Sequence, residues 1–242
     1  MSCTSALAFD VSKQCREMIS HITAGRVDPD KKWLLCKREV STRLQGTLPR
    51  CGLSAISMAA ELLRTQTGDN KITSSVEREQ HEKELDDLLT MAISKGFSNQ
   101  ELLKGSAVLV PYDADKNHKP CLENGHKAHW ALFTGVLFEL DDNSFDWTLF
   151  EQDVDMPVLF HASPSPTFIL PRDCNPQHIY FCAKHGKSRH TAVWTLDSLK
   201  SSNANLFELD PSKEKQAGNY IVPEEGLSEG LCGRIVVISG QR

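Results

Sequence analysis

The chain has 242 residues, 40% of them hydrophobic and 24% charged, enough for one large soluble domain or two small ones. A net charge of -5 gives no electrostatic basis for binding nucleic acid or an anionic membrane. No run approaches the roughly 18 apolar residues of a membrane span. Asp10, Lys13, Gln14 and Arg16 break up the first twenty residues, which therefore do not read as a signal peptide. The eight cysteines are scattered, with no Cys-x-x-Cys pair, so reduced thiols in a cytoplasmic protein are expected rather than a disulfide scaffold or a zinc ribbon.

In chain order, residues 11–22 carry a helical apolar pattern (Val11, Cys15, Met18, Ile19, Ile22) inside an otherwise polar arm, 1–32. Residues 32–40 read as a short strand or an approach to the core. Pro49 interrupts regular structure, and from Cys51 to Arg64 the recurrence of Leu53, Ile56, Ala60 and Leu63 predicts a mostly buried helix. Residues 65–84 are a charged linker, 85–95 a helix closed by Gly96, and 99–104 a further helical turn. Then strands dominate. Residues 106–112 are a buried strand that Pro111 is expected to end, 113–127 a polar loop, 129–140 a strand and 141–144 a turn. Residues 143–177, with five prolines, read as a long surface excursion. Residues 179–183 and 191–195 bracket a hairpin. A short helix (197–202) and strands at 219–222 and 234–239 follow. Helices before strands give an α+β class, with N-terminal helices packed on a C-terminal antiparallel sheet and a single domain over 33–242.

Two residues stand out chemically. Cys51 opens its helix, where unpaired backbone N–H groups favour negative charge on a thiolate or on a transition-state oxyanion. His129 opens a strand much later in the chain, and a Cys–His pair is the core of a thiol nucleophile. Gln45, six residues before Cys51, can donate its amide to the oxyanion if the chain loops back over the helix end. Cysteine in general is more often a small buried core residue, and it is the combination of Cys51, His129 and Gln45 that favours catalysis. A third group would orient the imidazole; Asp141, Asp142, Asp146 and the His185 region are the candidates. His118, Cys121, His126 and His129 are competent zinc ligands in a short span, but their spacing does not match a common finger. Gly186-Lys187-Ser188 lacks the frame of a phosphate loop.

The order cysteine on a helix, then histidine on a strand, is that of papain-like hydrolases. Leu44-Gln45, Pro49-x-Cys51-Gly52-Leu53, the run from Val110 to Cys121, Gly125-His126-Lys127-Ala128-His129-Trp130-Ala131, Lys184-His185-Gly186-Lys187-Ser188 and Glu229-Gly230-Leu231-Cys232-Gly233 together resemble the actin maturation protease family. That family resembles the bacteriocin-processing peptidases of the papain-like group. The resemblance covers about residues 33–242. It implies a cytoplasmic cysteine aminopeptidase that removes the acetylated N-terminal residue, often cysteine after methionine loss, from immature actin. It makes Cys51 the nucleophile, His129 the general base and acid, and Gln45 the oxyanion donor, with no metal or organic cofactor. Two departures qualify it. Family members often carry a proline-rich arm suited to profilin, whereas residues 1–32 hold one proline. The stretch 96–103 is also shorter than in the family, so the chain resembles a shortened splice form. The alternatives are a catalytically impaired actin-binding form and a zinc-stabilised interaction module.

Overall fold

The computed structural model describes residues 11–26, 28, 30–45, 51–67, 106–144, 146–162, 179–212 and 226–238. Among them are the helices α1 (Val11–Ile22), α2 (Cys51–Thr67), α3 (Leu196–Asn203) and α4 (Leu227–Gly230). The strands are β1 (Lys31–Lys37), β2 (Ala107–Asp113), β3 (Ala128–Asp141), β4 (Glu151–Gln152), β5 (Leu159–Ala162), β6 (Ile179–His185), β7 (Ala192–Thr195) and β8 (Val236–Ile238). The expected strand at 219–222, the helices at 85–95 and 99–104, and the shortened stretch at 96–103 lie outside the described residues.

The molecule is α+β, and β3 organises it. One edge of this 14-residue strand pairs with β2 through Ala128–Phe133 and then with β1 through Gly135–Asp141, while the other edge pairs with β6. β8 extends β2, β7 extends β6, and β5 and β4 extend β1. The sheet is mixed rather than antiparallel, because β1 and β5 run parallel. Nor is it wholly C-terminal, since β1 precedes α2 in the chain. β4 and β5 also correct the reading of 143–177 as a surface excursion. They are two and four residues long and flank Pro157, too short for a visible alternation.

Both faces of β3 are covered, so Ala131–Phe138 is buried without a break instead of alternating. On one face α2 lays Ala55, Met58, Ala59 and Leu62, an i, i+3, i+4, i+7 stripe, onto Ala107, Leu109, Leu132, Val236 and Ile238. On the same face α1 buries Val11, Cys15 and Ile19 against Trp33, Leu35, Leu137 and Cys182, so the helix within the polar arm is held to the sheet. The other face closes over Val110, Phe133, Phe138 and Phe181, with the Phe133 and Phe181 rings stacked at 4.5 Å. At Gly135 a side chain is impossible without rearrangement: a Cβ would lie 2.7 Å from the Cys36 carbonyl oxygen of β1.

Pro111 does not end β2, which continues to Asp113. β8 pairs only with Ala107–Leu109, so the outer edge of β2 is already free of a ladder where the proline sits. The Pro111 carbonyl faces that edge and accepts from the Asn203 side chain at 2.8 Å. The missing N–H would have pointed the same way, and no sheet bond is lost.

Candidate active site

The site lies where β2, β3 and the β6–β7 turn end near the start of α2. Cys51 is the first residue of α2 and is half-buried, with a free thiol. Gly52 faces β3: a Cβ there would make ordinary contact with the Trp130 ring at 3.5 Å. Gln45 is fixed by a strip of chain, 41–45, caught between α2 and the β6–β7 turn. The backbone of Ser41 and the Arg43 guanidinium donate to Glu61 of α2. Lys184 donates to the Thr42 hydroxyl at 2.9 Å, and the Gln45 backbone N–H donates to the Gly186 carbonyl at 2.8 Å. Gly186 is enclosed by Gln45 and the first turn of α2, a Cβ there being 3.0 Å from Ser54 Cβ and 3.1 Å from Gln45 Oε1. The Gln45 amide therefore sits beside the helix that Cys51 opens.

His129 is the second residue of β3, directly across from Tyr112 of β2. Its ring lies 6.4 Å from that of Tyr112 and 5.5 Å, edge to face, from that of His118. His118 in turn lies 5.6 Å from His185, whose ring stacks on Trp194 at 6.1 Å. Burial first, and then the neighbouring Cys51 sulfur, push the Tyr112 phenol well above its usual range. Tyr112 thus links the two ends of the site electrostatically, touching the His129 strand and lying within the field of Cys51. It also donates to the His118 carbonyl at 3.1 Å.

The loop 113–127, polar in sequence, is wound tightly by two carboxylates. Asp113, fully buried, accepts from the backbone N–H groups of Glu123 and Gly125. Asp115 accepts from those of Asn117 and Lys119 at 2.7 and 2.8 Å. Ser202 and Asn203 of α3 hold the outer end of β2 from below, through the Asp113 backbone and the Pro111 carbonyl. The result carries His118 to the edge of His129 with a left-handed φ of 61°. Burial and the neighbouring Lys187 lower the His118 pKa against the opposing pull of Asp115. Burial, with His118 second, lowers that of His185 to about 4.

Of the four candidate orienting groups, the structure brings His185 to this end of the sheet. Asp141 and Asp142 stand at the opposite end of β3, paired with Lys31 and Lys32, and Asp146 caps the turn at Thr148. The zinc alternative fails on geometry. His126 is bonded to Glu208 at 3.0 Å. Among the described residues no three His, Cys, Asp or Glu side chains are placed to hold a metal. Sequence reasoning missed Tyr112, Asp113 and the α3 pair Ser202–Asn203. These act through contacts that span up to 92 positions, which no local pattern announces. No described helix is long and apolar enough to cross a membrane.

A cysteine at a helix start, a histidine at a strand mouth and an amide held beside the helix's first turn are the parts of a peptidase. The relatives agree in class. A family model described as actin maturation protease-like, C-terminal domain, matches residues 99–137, the segment that contains His129. The actin maturation protease of Xenopus tropicalis is 36% identical over 250 aligned positions, covering 93% of this chain and 80% of that one. That of Danio rerio is 31% identical, covering 86% and 75%, and that of Homo sapiens is 30% identical, covering 88% and 67%. The chain belongs to the actin maturation protease family. The alignment with the Xenopus protein has more positions than this whole chain has residues, so that protein carries residues within the aligned span that this one lacks. No solved structure matches the chain.

Proposed function

We propose that this protein is a papain-like cysteine aminopeptidase that removes the acetylated N-terminal residue, cysteine or a similar residue exposed by methionine loss, from immature actin. The observation that carries the reading is the attachment of Gln45, through Gly186, to the first turn of the helix that Cys51 opens. That arrangement sets an amide donor beside a helix N-terminus, where negative charge develops on both sulfur and oxygen.

In the first half-reaction the Cys51 sulfur attacks the scissile carbonyl carbon while His129 takes the thiol proton. The Gln45 amide and the backbone N–H groups at the start of α2 donate to the oxyanion. Collapse of the tetrahedral species breaks the C–N bond, and His129 returns its proton to the departing amine. An acetyl-aminoacyl thioester remains on Cys51. Water, deprotonated by His129, then hydrolyses it, releasing the acetylated amino acid and the free thiol. An acetylated terminus carries no ammonium, so no acidic residue is required to hold it.

The test is mass spectrometry of an acetylated, unprocessed actin N-terminus incubated with the chain. The expected product is shorter by one acetyl-amino acid, with turnover lost in Cys51→Ala and in His129→Ala. A soluble, folded wild-type chain that leaves this terminus intact would replace this reading with that of an impaired form that only binds actin.

A further inference from the structure

Cys51 sits on a helix and His129 on a strand, but Gln45 is carried by the strip 41–45, which has no regular structure of its own. A loop holds a donor accurately only where other groups fix it. On the α2 side the strip is fixed by Glu61, through the Ser41 N–H and the Arg43 guanidinium. The Arg43 side chain is 60% exposed, and an ion pair so open to water is worth little. On the β6 side, Lys184 donates to the Thr42 hydroxyl at 2.9 Å, and that hydroxyl donates onward to the Arg189 carbonyl at 3.3 Å. Two residues after Lys184, the Gly186 carbonyl accepts from the Gln45 N–H.

Lys184 is only 5% exposed. It stands opposite Leu132 in the β3–β6 ladder, so it shares the sheet face that α2 covers. Burial lowers its pKa, against the opposing pull of Glu39 and Glu61. Among the described residues the Thr42 hydroxyl is its one hydrogen-bond acceptor. The desolvation of an ammonium is not offset by one such bond, and a methionine of similar length would fill the space without that penalty. A buried lysine with a single acceptor is therefore a poor choice for stability. It is a good choice for placement, because a charged donor in a low dielectric fixes its acceptor more firmly than a neutral one. What it fixes is Thr42, three residues before Gln45. We infer that Lys184 is a positioning residue for the reaction: through Thr42 it sets the Gln45 amide where the oxyanion forms. The inference rests on Gln45 as oxyanion donor in the peptidase reading.

The test measures kcat and KM on the acetylated, unprocessed actin N-terminus, per folded molecule, for the full chain and its variants. These are Lys184→Met, Thr42→Val, Thr42→Ser, Gln45→Ala and the double variant of Lys184→Met with Gln45→Ala. Lys184→Met and Thr42→Val should each lower kcat about tenfold or more with KM little changed, as for an oxyanion donor moved out of place. Thr42→Ser, which keeps the hydroxyl, should turn over like the wild type. In the Gln45→Ala background Lys184→Met should add nothing, because its effect runs through the missing amide. Wild-type kcat in Lys184→Met and Thr42→Val, or an equal loss with and without Gln45, would overturn the inference and leave the peptidase reading intact. Wild-type turnover in Gln45→Ala would instead remove the donor role, and the inference with it. Hydrogen exchange of the segment 41–45 is a second readout that needs no turnover, and should be faster in Lys184→Met. If the wild-type chain leaves the terminus intact, the peptidase reading fails, and exchange alone decides whether Lys184 holds the strip: an unchanged rate rejects it.

Discussion

The two halves of β3 are built on different physical terms. From Gly135 to Asp141 the strand is clamped by β1, with β6 on its other edge as far as Phe138, and its buried side chains Val136, Leu137 and Phe138 pack among apolar neighbours such as Phe181, Leu34 and Leu35. From Ala128 to Ala131 it carries His129 out to a rim where buried polar groups gather: Asp113, His185, Thr191, Ser202 and Asn203. The first half derives its stability from area removed from water, which is indifferent to pH and tolerant of imperfect geometry. The second depends on hydrogen bonds whose partners must be in place, because an unpaired buried polar group costs more than a pair contributes. The apolar half is a frame, and the polar half holds titratable groups close together where a substrate can meet them.

Substitutions can separate the halves. The largest loss of stability should come from Phe138→Ala in the apolar half, about 3–5 kcal/mol for a fully buried aromatic, read as a lower urea midpoint. Below its melting range that variant should keep its turnover per folded molecule. Acid should act on the other half. The His185 pKa is lowered from 6.5 to about 4 in the folded protein, so the unfolded chain takes up this proton first. The stability is fully present above pH 6.5, falls as the pH drops from 6.5 towards 4, and becomes insensitive to this group below that. The span corresponds to about 3 kcal/mol. His118, shifted in the same direction, adds to the slope. Urea titrations across this range should show a shallower slope in His185→Gln; an unchanged slope would mean that His185 is not buried neutral. Asp113→Asn should cost less, about 1–3 kcal/mol, because the amide keeps the shape but places a donor among the N–H groups of Glu123 and Gly125. Its effect on kcat/KM should nevertheless exceed that of Phe138→Ala, since the loop it anchors carries His118 to His129.

The same division explains how far the sequence could be read. α1 and α2 announce themselves through apolar stripes, β2, β3 and the β6–β7 hairpin through buried runs between turn residues. Cys51, His129 and Gln45 draw the proposal because a thiol at a helix start and an imidazole at a strand start are chemically unusual. β5 is invisible because four residues beside a surface loop show no period, and its parallel pairing with β1 depends on chain 126 residues away. Pro111 is misread as a stop because a sequence does not reveal that the neighbouring β8 is too short to need its N–H. The polar supports, Asp113 with Ser202 and Pro111 with Asn203, join positions 89 and 92 apart. Asp141 and Asp142 are drawn away from His129 by the length of β3 itself.

The central claim is that Cys51, among several free cysteines, is the residue that becomes acylated. The direct measurement is to react the chain with an acetylated peptide ending in a thioester-forming carbonyl, quench in acid, and locate the acyl group by peptide mass mapping. The account predicts an acyl adduct on the peptide that contains Cys51, reduced by His129→Ala and absent in Cys51→Ala. Acylation of Cys121 or Cys232 with Cys51 unmodified would contradict it.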